Sequence, residues 1–192
     1  ISSAQVAGVT STQIAGLTST QFAALTTNVI TSLFPAHVTA LTQAEIGAMT
    51  AAQFQTMGNF QLSQFLTGQM GYFSTVNIGL MTTVQMGLLT ASQFGGFTTS
   101  QLNAMTTTAF GSISAAQYGG LVTAQIGGIT GTQLNALAPA VIGVFTPANV
   151  QALSTTQVSN LNATFISSMN AADIGAFSAA QFAAMTTTAI GA

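Results

Sequence analysis

Leu17-Thr18-Ser19-Thr20-Gln21-Phe22-Ala23-Ala24 holds, in eight residues, the instructions that the rest of the chain repeats. Thr followed three places later by Gln has the spacing of a capping box. The hydroxyl accepts from the third helical N–H, and the amide oxygen reaches back to the cap N–H. Leu17 then precedes the cap and Phe22 is the fourth helical residue, the pairing known as a hydrophobic staple. One octad thus encodes a helix start, about six helical residues, and a return to the next start.

Outward from this stretch the period never slips. The 192 residues divide into 24 octads, and the first and sixth places are apolar or aromatic in all 24, so these two places are the expected core. Ser, Thr or Asn fills the second place in 19 units, as an N-cap demands. All three prolines, Pro35, Pro139 and Pro147, fall at the third place. That is the first helical residue, where the missing N–H costs nothing. The two acids, Glu45 and Asp173, fall at the fifth place, inside a first turn whose dipole favours negative charge.

Sixteen of the 19 glycines stand at the seventh or eighth place. A left-handed helix end would explain glycine there, but the usual alternative is alanine, which does not relieve left-handed strain. Close approach of a neighbouring unit therefore explains both residues better. A helix of about six residues is far shorter than the ~12–15 that is marginally stable alone. The octads must stack to fold at all, each touching its neighbours.

The expected fold is therefore all-α: a solenoid of very short helices, one per octad, running as a single continuous array over residues 1–192. We expect it to be part of a longer array or filament. A β-solenoid is the alternative, since Thr, Val, Ile and Phe suit strands. Against it stand apolar places spaced five and three apart rather than alternating, and prolines that would interrupt a stacked ladder.

Composition narrows function. The chain has no Lys or Arg, two acids and one histidine. Nothing can neutralise phosphates, which argues against nucleic acid or an anionic membrane surface as partner. Thr, Ser, Gln or Asn interrupts every apolar run before 18 residues, so no membrane insertion is expected. With no cysteine there is neither a disulfide framework nor a thiolate metal site. A surface 1% charged offers little repulsion against its own kind.

Chemistry-bearing residues are few. His37 and Glu45 hold the fifth place of adjacent octads, where they could face each other or simply replace Gln in its capping role. The second reading is favoured. A metal site needs several convergent ligands and a nucleophile needs an oriented base, so no catalytic, cofactor-binding or metal residue is assigned and the chain is not read as an enzyme. The methionines, such as Met49 and Met81, occupy core places. The fifth place turns apolar at Val29, Ala109, Val141, Phe165 and Ala189. The last three lie three octads apart, which hints at about three octads per turn or per repeat of a higher order, a spacing the earlier units do not keep. Met57 to Leu80 fits the consensus worst, with Gly58, Phe60, Leu66 and Tyr72 out of pattern, and reads either as drift or as a contact surface between rods.

Octads such as Leu17 to Ala24 and Leu121-Val122-Thr123-Ala124-Gln125-Ile126-Gly127-Gly128 resemble the Leu-Thr-x-x-Gln-hydrophobic arrays of some very large bacterial secreted and cell-surface proteins. The likeness covers the whole chain and rests on a motif of low complexity. It implies an extracellular or cell-surface bacterial setting, with the repeats serving as stalk, sheath or fibre. The leading functional expectation is a self-assembling filament whose partner is itself, joined end to end or side by side. A stalk or spacer of an adhesin is the alternative. Ice binding through runs such as Thr106-Thr107-Thr108 is a weaker one, because capping occupies the second-place threonines.

Overall fold

The computed structural model describes residues 1–191. A 3-10 turn at Ser3–Gly8 is followed by 23 short α-helices, from α1 (Ser11–Ala15) to α23 (Thr187–Ile190), and no strand occurs among the described residues. The all-α solenoid is thus the architecture, and the β-solenoid is not seen. Each helix starts where the sequence places it. Thr18 is extended (φ −70°, ψ 157°) and its hydroxyl accepts from the Gln21 N–H at 3.2 Å. The Gln21 Oε1 accepts the Thr18 N–H at 2.9 Å, closing the box. The prolines open α4 (Pro35–Ala40), α17 (Pro139–Ile142) and α18 (Pro147–Ala152).

The helices stack with a step of three. Helix α1 packs on α4, α2 (Ser19–Ala23) on α5 (Gln43–Ala48), and α3 (Thr27–Thr31) on α6 (Ala51–Thr56). The pattern continues to α20 (Ala163–Ser167) on α23. Three octads therefore close one 24-residue turn of a three-sided coil. This gives the spacing of Val141, Phe165 and Ala189 its meaning: they lie one above another on a single corner, all buried.

First-place and sixth-place side chains fill the interior as one continuous core from Val6 to Met185. Phe22, Phe54, Phe94 and Phe110 are wholly buried there. Successive turns meet through these residues: Phe54 and Phe73 contact edge-on at 5.4 Å, and Tyr118 stacks on Phe145 at 4.6 Å. In the irregular stretch, Phe65 and Phe73 are ordinary core residues 4.9 Å apart, while Phe60, Leu66 and Tyr72 point to the surface.

Among the described residues none has a positive φ, so no glycine serves a left-handed helix end. Gly120 shows the actual need. A Cβ there would overlap the Ala91 carbonyl of the turn below. Gly95 is held in the same way against the Gly120 carbonyl of the turn above. Close approach between turns is the reason for glycine at these places.

Candidate functional site

The group that does most for this architecture is the fifth-place amide. Its oxygen is engaged within its own octad, and its nitrogen turns to the preceding turn. In Gln101, Oε1 accepts the Thr98 N–H at 2.7 Å. Its Nε2 donates to the carbonyls of Met70 at 3.0 Å and Phe73 at 2.7 Å. Those acceptors lie 31 and 28 residues earlier, at the corner where one helix ends and the next begins. Gln53, Gln69, Gln93, Gln117, Gln133, Gln157 and Gln181 make the same pair of bonds. Every one of these amides is buried. Orphan carbonyls at helix ends are thereby satisfied by the next turn, and a buried amide with all its polar atoms paired is favourable rather than costly.

Capping alone did not reveal this second role, although the sequence holds a signal for it. A capping box needs only an acceptor, so Glu would serve as well as Gln. The fifth place nevertheless carries 14 Gln against one Glu. The preference is for a donor.

The exceptions confirm the geometry. His37 imitates the amide: its Nδ1 accepts the Phe34 N–H at 3.2 Å and its Nε2 meets the Val9 carbonyl, 28 residues earlier, at 2.9 Å. This network places the ring proton on Nε2. Glu45 caps its helix through Oε2, 2.7 Å from the Thr42 nitrogen, but its Oε1 is buried without a partner. His37 and Glu45 belong to different sides of the coil and each caps its own helix, so the capping reading holds and the facing pair does not. Glu45→Gln is expected to supply the missing donor to the corner below and to raise stability by ~1–3 kcal/mol, measured by chemical denaturation. Unchanged or lowered stability would contradict the ladder.

Asp173 is the second acid in the ladder, 1% exposed. It caps with Asn170, whose Oδ1 accepts the Asp173 N–H at 3.0 Å and whose Nδ2 donates to Oδ2 at 2.6 Å. Burial lifts its carboxyl above the usual 3.8, outweighing the lowering effect of the Asn170 bond. A carboxyl whose pKa is higher folded than unfolded stabilises the fold in its protonated form. That contribution is complete below the unfolded value near 3.8 and is lost as pH rises through the raised folded value. The thermal midpoint is therefore expected to fall across that interval as pH rises. Asp173→Asn should show a shallower fall, because an amide at this place has a precedent in Asn77, which donates to the Met49 carbonyl at 2.8 Å. Tyr118, inside the core, has its phenol pushed up first by burial and second by the charge of Asp173, and its hydroxyl has no partner.

Concavities are slight. One shallow groove is lined by Thr83, Thr107, Thr108, Gly111, Ser112 and Ala136, and another by Ser19, Gln43, Ala44, Gly47 and Ala48. Neither brings together a nucleophile and a base. No group of three or more potential metal-ligating side chains occurs among the described residues, and no helix there is long and apolar enough to cross a membrane. Compared with protein-family models and with curated proteins, the chain matches none.

Proposed function

We propose that this chain is a structural protein, a rod of stacked octads that assembles into an extracellular filament of bacterial origin. The observation that carries the reading is the ladder: from Gln53 to Gln181, every turn has at least one buried amide that donates to carbonyls of the turn before it. Such an object grows by addition and has no built-in stopping point. The surface supports the reading, since a chain without Lys or Arg and with two buried acids has little charge with which to repel copies of itself. The single histidine is used as a cap, which leaves no base for catalysis and favours a non-enzymatic role. The extracellular and bacterial setting rests on the resemblance of the octads alone.

Electron microscopy of the purified 192-residue chain over a range of concentrations tests the proposal. Filaments that lengthen with concentration are expected. Dispersed single rods at high concentration would overturn it and favour a spacer within an adhesin.

A further inference from the structure

Where one helix gives way to the next, three backbone carbonyls converge on a single point. Gln53 marks it: its Nε2 lies 3.0 Å from the Phe22 oxygen, 3.3 Å from that of Ala23 and 2.8 Å from that of Leu25. Gln69 marks the same point at another corner, 3.0, 3.2 and 2.9 Å from the oxygens of Val38, Thr39 and Leu41. In both cases the acceptors stand 31, 30 and 28 residues before the amide. Counted back from Glu45, the same offsets give Ile14, Ala15 and Leu17, at the corner between α1 and α2. Helix α5, which carries Glu45, packs on α2.

Glu45 brings an oxygen where Gln53 and Gln69 bring a nitrogen. Its side chain is wholly buried. Oε2 accepts the Thr42 N–H at 2.7 Å and the Thr42 hydroxyl at 2.9 Å, while Oε1 has no partner. Acceptors therefore face acceptors at this corner, and one of them carries the charge of a carboxylate. The chain has no Lys or Arg. Its one histidine, His37, is committed to the Phe34 N–H and the Val9 carbonyl. No side chain of the protein balances the charge, and a buried carboxylate without a counter-charge is costly. A proton would neutralise it and bond one carbonyl, whereas a metal ion engages all four oxygens together. Carbonyl and carboxylate oxygens are the ligands of hard cations, and carbonyls at helix ends and in unwound segments hold alkali ions elsewhere. One carboxylate in a dry site is matched by one positive charge, which selects a monovalent ion over a divalent one.

We propose that Glu45 Oε1 and the carbonyls of Ile14, Ala15 and Leu17 form a binding site for one alkali cation. The ion does at this rung what the amide nitrogen does at the others, joining a helix corner to the turn that follows. Its ligands are mostly backbone, so a search for clustered His, Cys, Asp and Glu passes over it. The stability gain expected of Glu45→Gln is the gain over the ion-free chain, and added ion should narrow it. The site is independent of the filament reading: whether the rods polymerise has no bearing on it.

The probe is sodium chloride exchanged for tetramethylammonium chloride at constant total salt. An ion that binds the folded chain alone stabilises it by mass action. Hydrogen-exchange protection in α2 and α5 should therefore rise about tenfold for each tenfold increase in sodium above the dissociation constant. Glu45→Gln, which places the consensus amide at this rung, should show no such response. Gln53→Glu should acquire an ion dependence of its own, since it sets a carboxylate against the carbonyls of Phe22, Ala23 and Leu25. Sodium-23 NMR reads the ion directly: its signal should broaden with the wild-type chain and stay sharp with Glu45→Gln. Equal responses of the wild type and Glu45→Gln, or none in either, would overturn the site. So would a wild type indifferent to sodium but stabilised by acid relative to Glu45→Gln, because the occupant would then be a proton. Comparing the two variants cancels the titrations of Asp173 and His37, which both retain.

Discussion

Gln101→Leu is expected to cost ~3–5 kcal/mol, more than loss of one side-chain hydrogen bond, because two buried carbonyls and a part-buried N–H lose their partner together. The Thr98 N–H loses its acceptor, and the Met70 and Phe73 carbonyls lose their donor. Leucine fills much of the volume, so the loss is polar rather than a cavity. Gln13→Leu is the internal control. It loses the capping acceptor but no bond to another turn, and about 1 kcal/mol is expected. Because a repeat array need not unfold in one step, the sharper readout is amide hydrogen exchange. Gln101→Leu should accelerate exchange in α12 (Thr99–Ala104) and in α9 (Thr75–Gly79), on which it packs, before it affects the distant turns. Equal costs at Gln101 and Gln13 would mean that the contacts between turns contribute little.

Gly120→Val is expected to be comparably damaging for a steric reason, at ~3 kcal/mol or more. The obstacle is backbone: a side chain at Gly120 meets the Ala91 carbonyl and carbon, which no rotamer change can move. The turns must part there, and parting them strains the neighbouring bonds from Gln117 and Gln125. Gly87 offers the contrast, since nothing lies within 4 Å of a Cβ built there. Gly87→Ala should therefore gain up to ~1 kcal/mol from the lower entropy of the unfolded chain and better helix propensity. Opposite signs at two glycines of adjacent consensus places, Gly87 at the seventh and Gly120 at the eighth, would separate close packing from conformational need. Denaturant midpoints for the two variants suffice to decide it.

Both effects describe one mechanical design. The octads hold their own helices by local capping, and the turns hold one another by an amide that crosses the gap and by backbones close enough to be crossed. Where the amide is missing, apolar stacking replaces it, as on the corner of Val141, Phe165 and Ala189, each buried. While the Val141, Phe165 and Ala189 side lacks the ladder, one other side retains it through Gln157 and Gln181, and on the third Asn149 keeps only its local cap with Thr146.

The sequence by itself determined every helix start and the contents of the core. Thr18 with Gln21, and Pro35, Pro139 and Pro147 at their first helical positions, act over four residues or fewer, and interactions of that range are written in the order of the chain. The first and sixth places were legible as core for the same reason, a fixed offset from each cap. Glycine at the helix ends was readable as close packing because alanine shared its place, and this holds at Gly95, Gly96, Gly111 and Gly120 but not at Gly8 or Gly87, which meet no neighbouring turn. Only the tertiary structure decided that three octads close a turn and that the Gln101 amide bridges to Met70 and Phe73. The partners of those amides are backbone carbonyls, which every residue carries and no residue type announces. A contact between a side chain and a peptide group 28 residues away leaves only a preference for glutamine over glutamate in the sequence. What that preference connects becomes visible when the turns are stacked.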